Sequence, residues 1–141
     1  MLKGKGLQAP VKEVKLMLEA GYVYRYAGRY REARDIFLGV RALLPERDVA
    51  DLALAGVCLD EGKLDEAEAH CRRALDINRA SATAYAQLAE VQLLQKDDKS
   101  ARQSLKKSLE ISPSGPTALL AKILIKLADK VASKNQPFKS L

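Results

Sequence analysis

The sequence predicts an all-α protein made of one helical hairpin laid down three times. Three observations carry that expectation. The 141 residues are rich in Ala, Leu, Glu, Lys and Arg, with few aromatics and no Trp, the composition of strong helix formers rather than strands. Apolar positions recur at helical spacing through most of the chain. The chain also repeats itself at a fixed step of 34 residues, which is the signature of a repeat architecture. A length of 141 residues fits a single domain.

The step can be followed column by column. Gly21 becomes Ala55 and Ala89, and Gly28 becomes Gly62 and then Lys96. Ala33 becomes Ala67 and Ala101, and Phe37 becomes Cys71 and Leu105. Pro45 becomes Arg79 and then Pro113. Gly28 and Gly62 stand where a first helix must end in a left-handed residue, which glycine adopts freely. The alanine column lets a second helix approach the first closely, and a larger side chain there would overpack. Phe37 and Leu105 are the apolar wedges, worth about 1.5–3 kcal/mol each when buried. Proline at 45 and 113 stops a second helix.

These signals predict helices over 11–26, 30–43, 48–61, 64–77, 81–95, 98–111 and 116–133. The stretch 48–81 (DVADLALAGVCLDEGKLDEAEAHCRRALDINRAS) shows the hairpin most plainly, with Gly62-Lys63 as its turn. The third turn, with Lys96 in place of glycine, is expected to differ slightly, Asp97 or Asp98 capping the next helix. Pro116 suits the first turn of the last helix. That helix is expected to bury a stripe of Leu120, Ile123, Leu124, Leu127 and Val131 and to turn Lys122, Lys126, Asp129 and Lys130 outward. Residues 1–10 and 135–141 are expected to be loose, flexible termini.

Catalytic chemistry is nearly absent from the sequence. His70 is the only histidine and is expected on the solvent side of its helix. Cys58 and Cys71 fall on apolar helix faces and are expected as reduced core thiols. One His and two such Cys do not make a zinc site, which needs three or four ligands. No phosphate-cradling loop or nucleophile motif is present. The expectation is therefore no enzyme, no cofactor and no metal. Neither a secretory signal nor a run of apolar residues long enough to span a membrane is visible, which makes the cytoplasm the expected location.

The motif residues resemble those of the tetratricopeptide repeat family. They are Gly21, Tyr24, Ala33, Phe37 and Pro45; then Leu54, Ala67 and Ala74; then Tyr85, Leu88, Ala101 and Pro113. Three tandem repeats would span Val14–Arg47, Asp48–Ser81 and Ala82–Gly115, with a capping helix over 116–134, all within one domain over 11–134. The large aromatic usual near a repeat start is replaced by Met17 and Asp51 in the first two repeats. The resemblance implies a right-handed helical solenoid whose first helices line a concave groove. It also implies a protein-binding module, with a partner segment contacting Leu18, Tyr22, Arg25, Tyr26, Leu52, Gly56, Leu59, Gln87, Glu90, Leu93 and Leu94. At the positions where co-chaperones of the family clamp the acidic tails of Hsp70 and Hsp90, this chain has Leu18, Tyr22, Ala53, Thr83 and Gln87. Such tails are therefore not the expected partner. The groove is apolar and partly aromatic, which suits an extended or helical segment of another protein. A second copy of the chain, or its own termini, are the competing occupants.

The size and the plan of three repeats plus a closing helix are similar to those of the type III secretion chaperones of translocator subunits. Those chaperones are commonly acidic, whereas this chain carries a formal charge of +6. A scaffold or assembly subunit of a larger complex is the alternative. A nucleic-acid adaptor is a weaker one. The basic residues, among them Arg34, Arg41, Arg73, Lys99 and Lys107, alternate with acids on the second helices, whereas nucleic-acid readers gather charge and aromatics on one face.

Overall fold

A computed structural model describes residues 11–135, and the expectations for the two termini lie outside the described residues. The described residues form seven helices and no strand. The chain divides into two compact units, Met1–Arg79 and Ala80–Leu141. The first holds α1 (Val11–Tyr26), α2 (Tyr30–Leu43), α3 (Val49–Asp60) and α4 (Leu64–Ile77). The second holds α5 (Ala82–Leu94), α6 (Asp98–Ile111) and α7 (Pro116–Asn135). The helix boundaries agree with the sequence expectation to within one or two residues.

Each hairpin turn is closed the same way. Gly28, Gly62 and Lys96 all have positive φ, at 76°, 75° and 65°. The next residue then donates its N–H back into the first helix: Arg29 to the Tyr24 carbonyl, Lys63 to Cys58 and Asp97 to Gln92, each at 2.8 Å. The orphan carbonyls at three helix ends are thereby satisfied. Lys96 therefore keeps the glycine conformation, at a cost of roughly 1–2 kcal/mol for a residue with a Cβ. Asp97 offsets part of that cost. Its carboxylate accepts the Ser100 N–H at 3.2 Å and caps α6. Ser81 caps α5 likewise, accepting from the Ala84 N–H at 3.1 Å.

The alanine column is fully buried at Ala33, Ala67 and Ala101. In the first unit, Ala33, Phe37, Ala53, Leu54 and Val57 form the core where α1, α2 and α3 meet. A second cluster of Val14, Val40 and Ala50 continues it. In the second unit, Ala89, Ala101, Leu105, Ala121 and Leu124 gather α5, α6 and α7. The other small-residue column, Gly21–Ala55–Ala89, shows at Gly21 why such positions must stay small. A Cβ built there would lie 2.3 Å from Cε1 of Phe37.

The last helix departs from expectation in part. It buries Leu124 and half-buries Leu120 as expected, but fills the rest of its buried stripe with Ala118, Ala121 and Ala128. Ile123, Leu127 and Val131 are exposed. Both stripes have helical spacing; the one with alanines wins because it allows close approach to α5 and α6, with Leu120 and Ile125 half-buried at its edges.

Candidate functional site

The first helices carry the candidate binding residues, and each unit presents its own set. In the first unit, Tyr22 on α1 meets Phe37 edge-on, with ring centroids 5.2 Å apart. Burial raises its hydroxyl above the usual tyrosine range, against the opposing charge of Arg25. Arg25 reaches across to α3. Its Nε donates to Oδ2 of Asp60 at 2.6 Å and its Nη2 to Oδ1 at 3.2 Å. This fork-on-fork pair is the geometry in which arginine holds a carboxylate best.

Gly56 makes room for it. A Cβ there would stand 2.6 Å from Nη1 of Arg25. Tyr26 sits beside the clasp, 6.0 Å from the guanidinium carbon, and is 82% exposed. Leu18, Leu52 and Leu59 are half-buried, and Leu18 also packs on the core. The structure thus gives Arg25 and Gly56 a role in fixing α1 against α3. Tyr26 is the group most open to a guest.

In the second unit, Leu94 on α5 is exposed, while Gln87, Glu90 and Leu93 are half-buried. Leu93 packs against the Ala89–Leu105–Leu124 cluster. It therefore contributes to stability as well as to surface.

The sequence reading missed the charged centre of the second repeat. Asp51 on α3 is fully buried. His70 Nδ1 lies 3.1 Å from its Oδ1, Arg73 Nε donates to its Oδ2 at 3.2 Å, and Arg41 Nη1 is 3.7 Å away. One carboxylate on α3 is thus gripped from α2 and from α4. His70, expected in solvent, is drawn inward by this anion. Hydrogen bonding to Asp51, with a further contribution from Cys58, raises its pKa to about 9 against the effect of burial. The imidazole is therefore cationic at neutral pH.

The 34-residue step shows how this centre arose in place of apolar packing. The pair Asp51 and Arg73 occupies the columns of Met17 and Gly39 and of Tyr85 and Lys107. A Cβ on Gly39 would touch Met17 Cε at 3.3 Å, and Lys107 Nζ stands 5.5 Å from the Tyr85 ring. One contact position is therefore apolar, ionic and cation–π in the three repeats. Arg41 likewise stands where Leu75 and Leu109 stand. The readable signal was Asp51 in a column otherwise held by Met17 and Tyr85, matched by Arg41 in a column otherwise held by Leu75 and Leu109.

Arg34 on α2 makes a second strap, pairing with Glu61 and, at 3.5 Å, with Glu66. Cys58 and Cys71 are buried and reduced. No group of three or more potential metal ligands occurs among the described residues. Nor does any helix there have the length and apolarity to cross a membrane.

Comparison with known proteins agrees with this architecture. Residues 46–114 match the family model described as Tetratricopeptide repeat. The first TPR of Spaghetti (RPAP3), solved bound to the HSP90 peptide SRMEEVD, is 22% identical; the match covers 89% of this chain and 98% of that one, with a TM-score of 0.72. The Sgt2 TPR domain from Aspergillus fumigatus is 15% identical over 94% and 91% of the two chains, with a TM-score of 0.74. A T3SS complex from Aeromonas hydrophila is 17% identical over 89% and 84%, also with a TM-score of 0.74. At these identities the likeness is one of fold. No curated protein matches the sequence. The family match over 46–114, the helical hairpins and the shared fold lead to one conclusion: residues 46–114 match the tetratricopeptide repeat family, and the chain has the all-α helical-repeat fold of the tetratricopeptide domains it resembles.

Proposed function

We propose that the chain is a non-catalytic module that captures a segment of another protein on the face of its first helices. The observation that carries this reading is Tyr26, an almost wholly exposed aromatic beside an arginine that is already held by Asp60. An amphipathic ring held against a rigid backbone is a good anchor for a guest chain. Tyr22, Leu18, Leu52 and Leu59 extend the surface in the first unit. On α5, Leu93, Leu94, Gln87 and Glu90 stand in the same register.

The guest is apolar rather than acidic. A carboxylate clamp needs several cations and amides together, and the matching positions hold Leu18, Tyr22, Ala53 and Thr83, with Gln87 the one amide among them. Arg25 is paired with Asp60. Titrating the protein with the peptide SRMEEVD is therefore expected to give no saturable change in tyrosine fluorescence up to millimolar peptide. Micromolar binding would overturn this part of the reading.

A second reading is a chaperone that holds a secreted subunit, favoured by the match to the T3SS complex from Aeromonas hydrophila. It predicts that co-expression with the product of a neighbouring gene yields a stable complex. A scaffold role predicts several simultaneous partners. A homodimer through the same face predicts a doubled mass by light scattering. A nucleic-acid adaptor predicts binding that falls steeply with salt.

A further inference from the structure

We propose that the outer face of α7 is a second docking surface, and that its occupant is an amphipathic helix of a partner protein whose apolar stripe is bordered by Asp and Glu. This surface lies on α7, which contributes none of the residues named for the face proposed above.

The repeat register points to a helix. Pro116 lies 34 residues after Ala82, and Ala118 continues the buried column of Ala50 and Ala84. By position, α7 is thus the first helix of a fourth repeat. Leu54, Ala55 and Cys58 of α3 are buried, and the next helix in chain order, α4, packs on α3. The matching residues of α7 are Lys122, Ile123 and Lys126, and all three are exposed. The surface a following helix would cover is present and open among the described residues.

The side chains then select the guest. Leu119, Ile123, Leu127 and Val131 follow one another at four-residue spacing and are between 46% and 61% exposed. Lys122, Lys126 and Lys130 form a parallel row one residue earlier, on the adjoining strip of the helix. Asp129 is the only acid of α7, and it is taken by Arg102 at 2.8 Å. None of the three lysines has an ion-pair partner among the described residues. A shallow pocket of about 350 Å³ lined by Leu119, Lys122, Ile123, Ile125 and Lys126 joins the two rows.

Ile123 also replaces the small residues Gly21, Ala55 and Ala89. A helix packed as closely as α2 or α6 pack in their own repeats would collide with it. The guest must ride higher, and the lysine row reaches up to its flank. A helix with an apolar stripe and an acidic border satisfies both rows; a plain apolar helix leaves the lysines unpaired.

The test uses two synthetic amphipathic helical peptides with one leucine face, bordered by Glu in the first and by Lys in the second. The full chain and two variants, I123D and the pair K122E/K126E, are titrated with each by fluorescence anisotropy. Helical CD and melting temperature check folding, and both sites are exposed. The expected result is saturable binding of the Glu-bordered peptide to the native chain. That binding should weaken at least tenfold in either variant and at least tenfold for the Lys-bordered peptide. No preference for the Glu border, or no effect of either variant, would overturn the proposal. Binding to phosphatidylserine vesicles that disappears in I123D, without peptide binding, would assign the face to a membrane. Concentration-dependent self-association abolished by I123D would assign it to a second copy. Either result overturns the partner helix.

Discussion

Replacing Asp51 with asparagine is expected to destabilise the protein by roughly 2–3 kcal/mol near neutral pH and to bring the His70 midpoint down from about 9 toward its ordinary value of 6.5. Asparagine keeps the shape and can still accept a hydrogen bond. It removes the charge that Arg41, His70 and Arg73 surround. The loss lies below the roughly 3–5 kcal/mol that breaking a wholly buried pair costs, because Arg41 and Arg73 can turn to water.

The same network fixes a pH dependence. The folded-state pKa of His70 is raised above its unfolded value, so its contribution is fully present below pH 6.5. It is lost as pH rises through about 9. Allowing for the water-facing edge of the ring, that contribution is on the order of 2 kcal/mol. Urea unfolding at acid-neutral and alkaline pH, on native, H70Q and D51N chains, isolates the term from other titrating groups. An NMR titration of the single histidine reads the midpoint directly. A midpoint near 6.5 in the native chain, or no change in D51N, would remove the network from the account.

Truncating Phe37 to alanine is expected to cost about 3–5 kcal/mol, the largest single loss in the first unit. Its ring is fully buried, packs into Gly21 and meets Tyr22 edge-on. In a chain of this size such a loss lowers the melting temperature by roughly 10 °C or more. The repeat suggests a sharper test. The pair Gly21 and Phe37 recurs in the third repeat as Ala89 and Leu105, which share one core. G21A alone should clash with Phe37, and F37L alone should leave a void. Together they rebuild the third-repeat pair, so the double variant should recover about 1–2 kcal/mol over the sum of the singles. Additive losses would mean that these columns do not pack as one unit.

Much of the fold was legible because a repeat states its rules three times. The turn at Gly28 and Gly62, the alanine column and the Phe37–Leu105 wedge are backbone and volume requirements, and each recurs at a fixed step; the Lys96 turn, expected to differ, keeps the glycine conformation. Charge compensation is different, because it happens once. Asp51 reads as an odd substitution until Arg41, His70 and Arg73 are brought to it from other helices. His70 looked solvent-facing because its own helix gives no sign of the anion next door. The last helix differs for a related reason. Leu124 and Leu120 pack as the sequence suggests, whereas Ile123, Leu127 and Val131, the more hydrophobic choice, lose their places to Ala118, Ala121 and Ala128, which allow closer packing against α5 and α6.

The candidate site divides in the same way. The register placed Leu18, Tyr22, Tyr26, Leu52 and Leu59 on first helices. The Arg25–Asp60 clasp and the space left by Gly56 for it depend on long-range geometry. Leu93 was read as surface and packs on a core, so Leu94 is the better position for a disruptive charge in the second unit.

The capture claim is tested most directly by a peptide-display selection on the immobilised native chain, followed by rebinding of the selected peptides to Y26A, L59E and L94E variants that melt normally. The account predicts apolar or aromatic peptides that lose at least tenfold in affinity on Y26A and L59E. Selected peptides that bind all three variants as well as the native chain would contradict it.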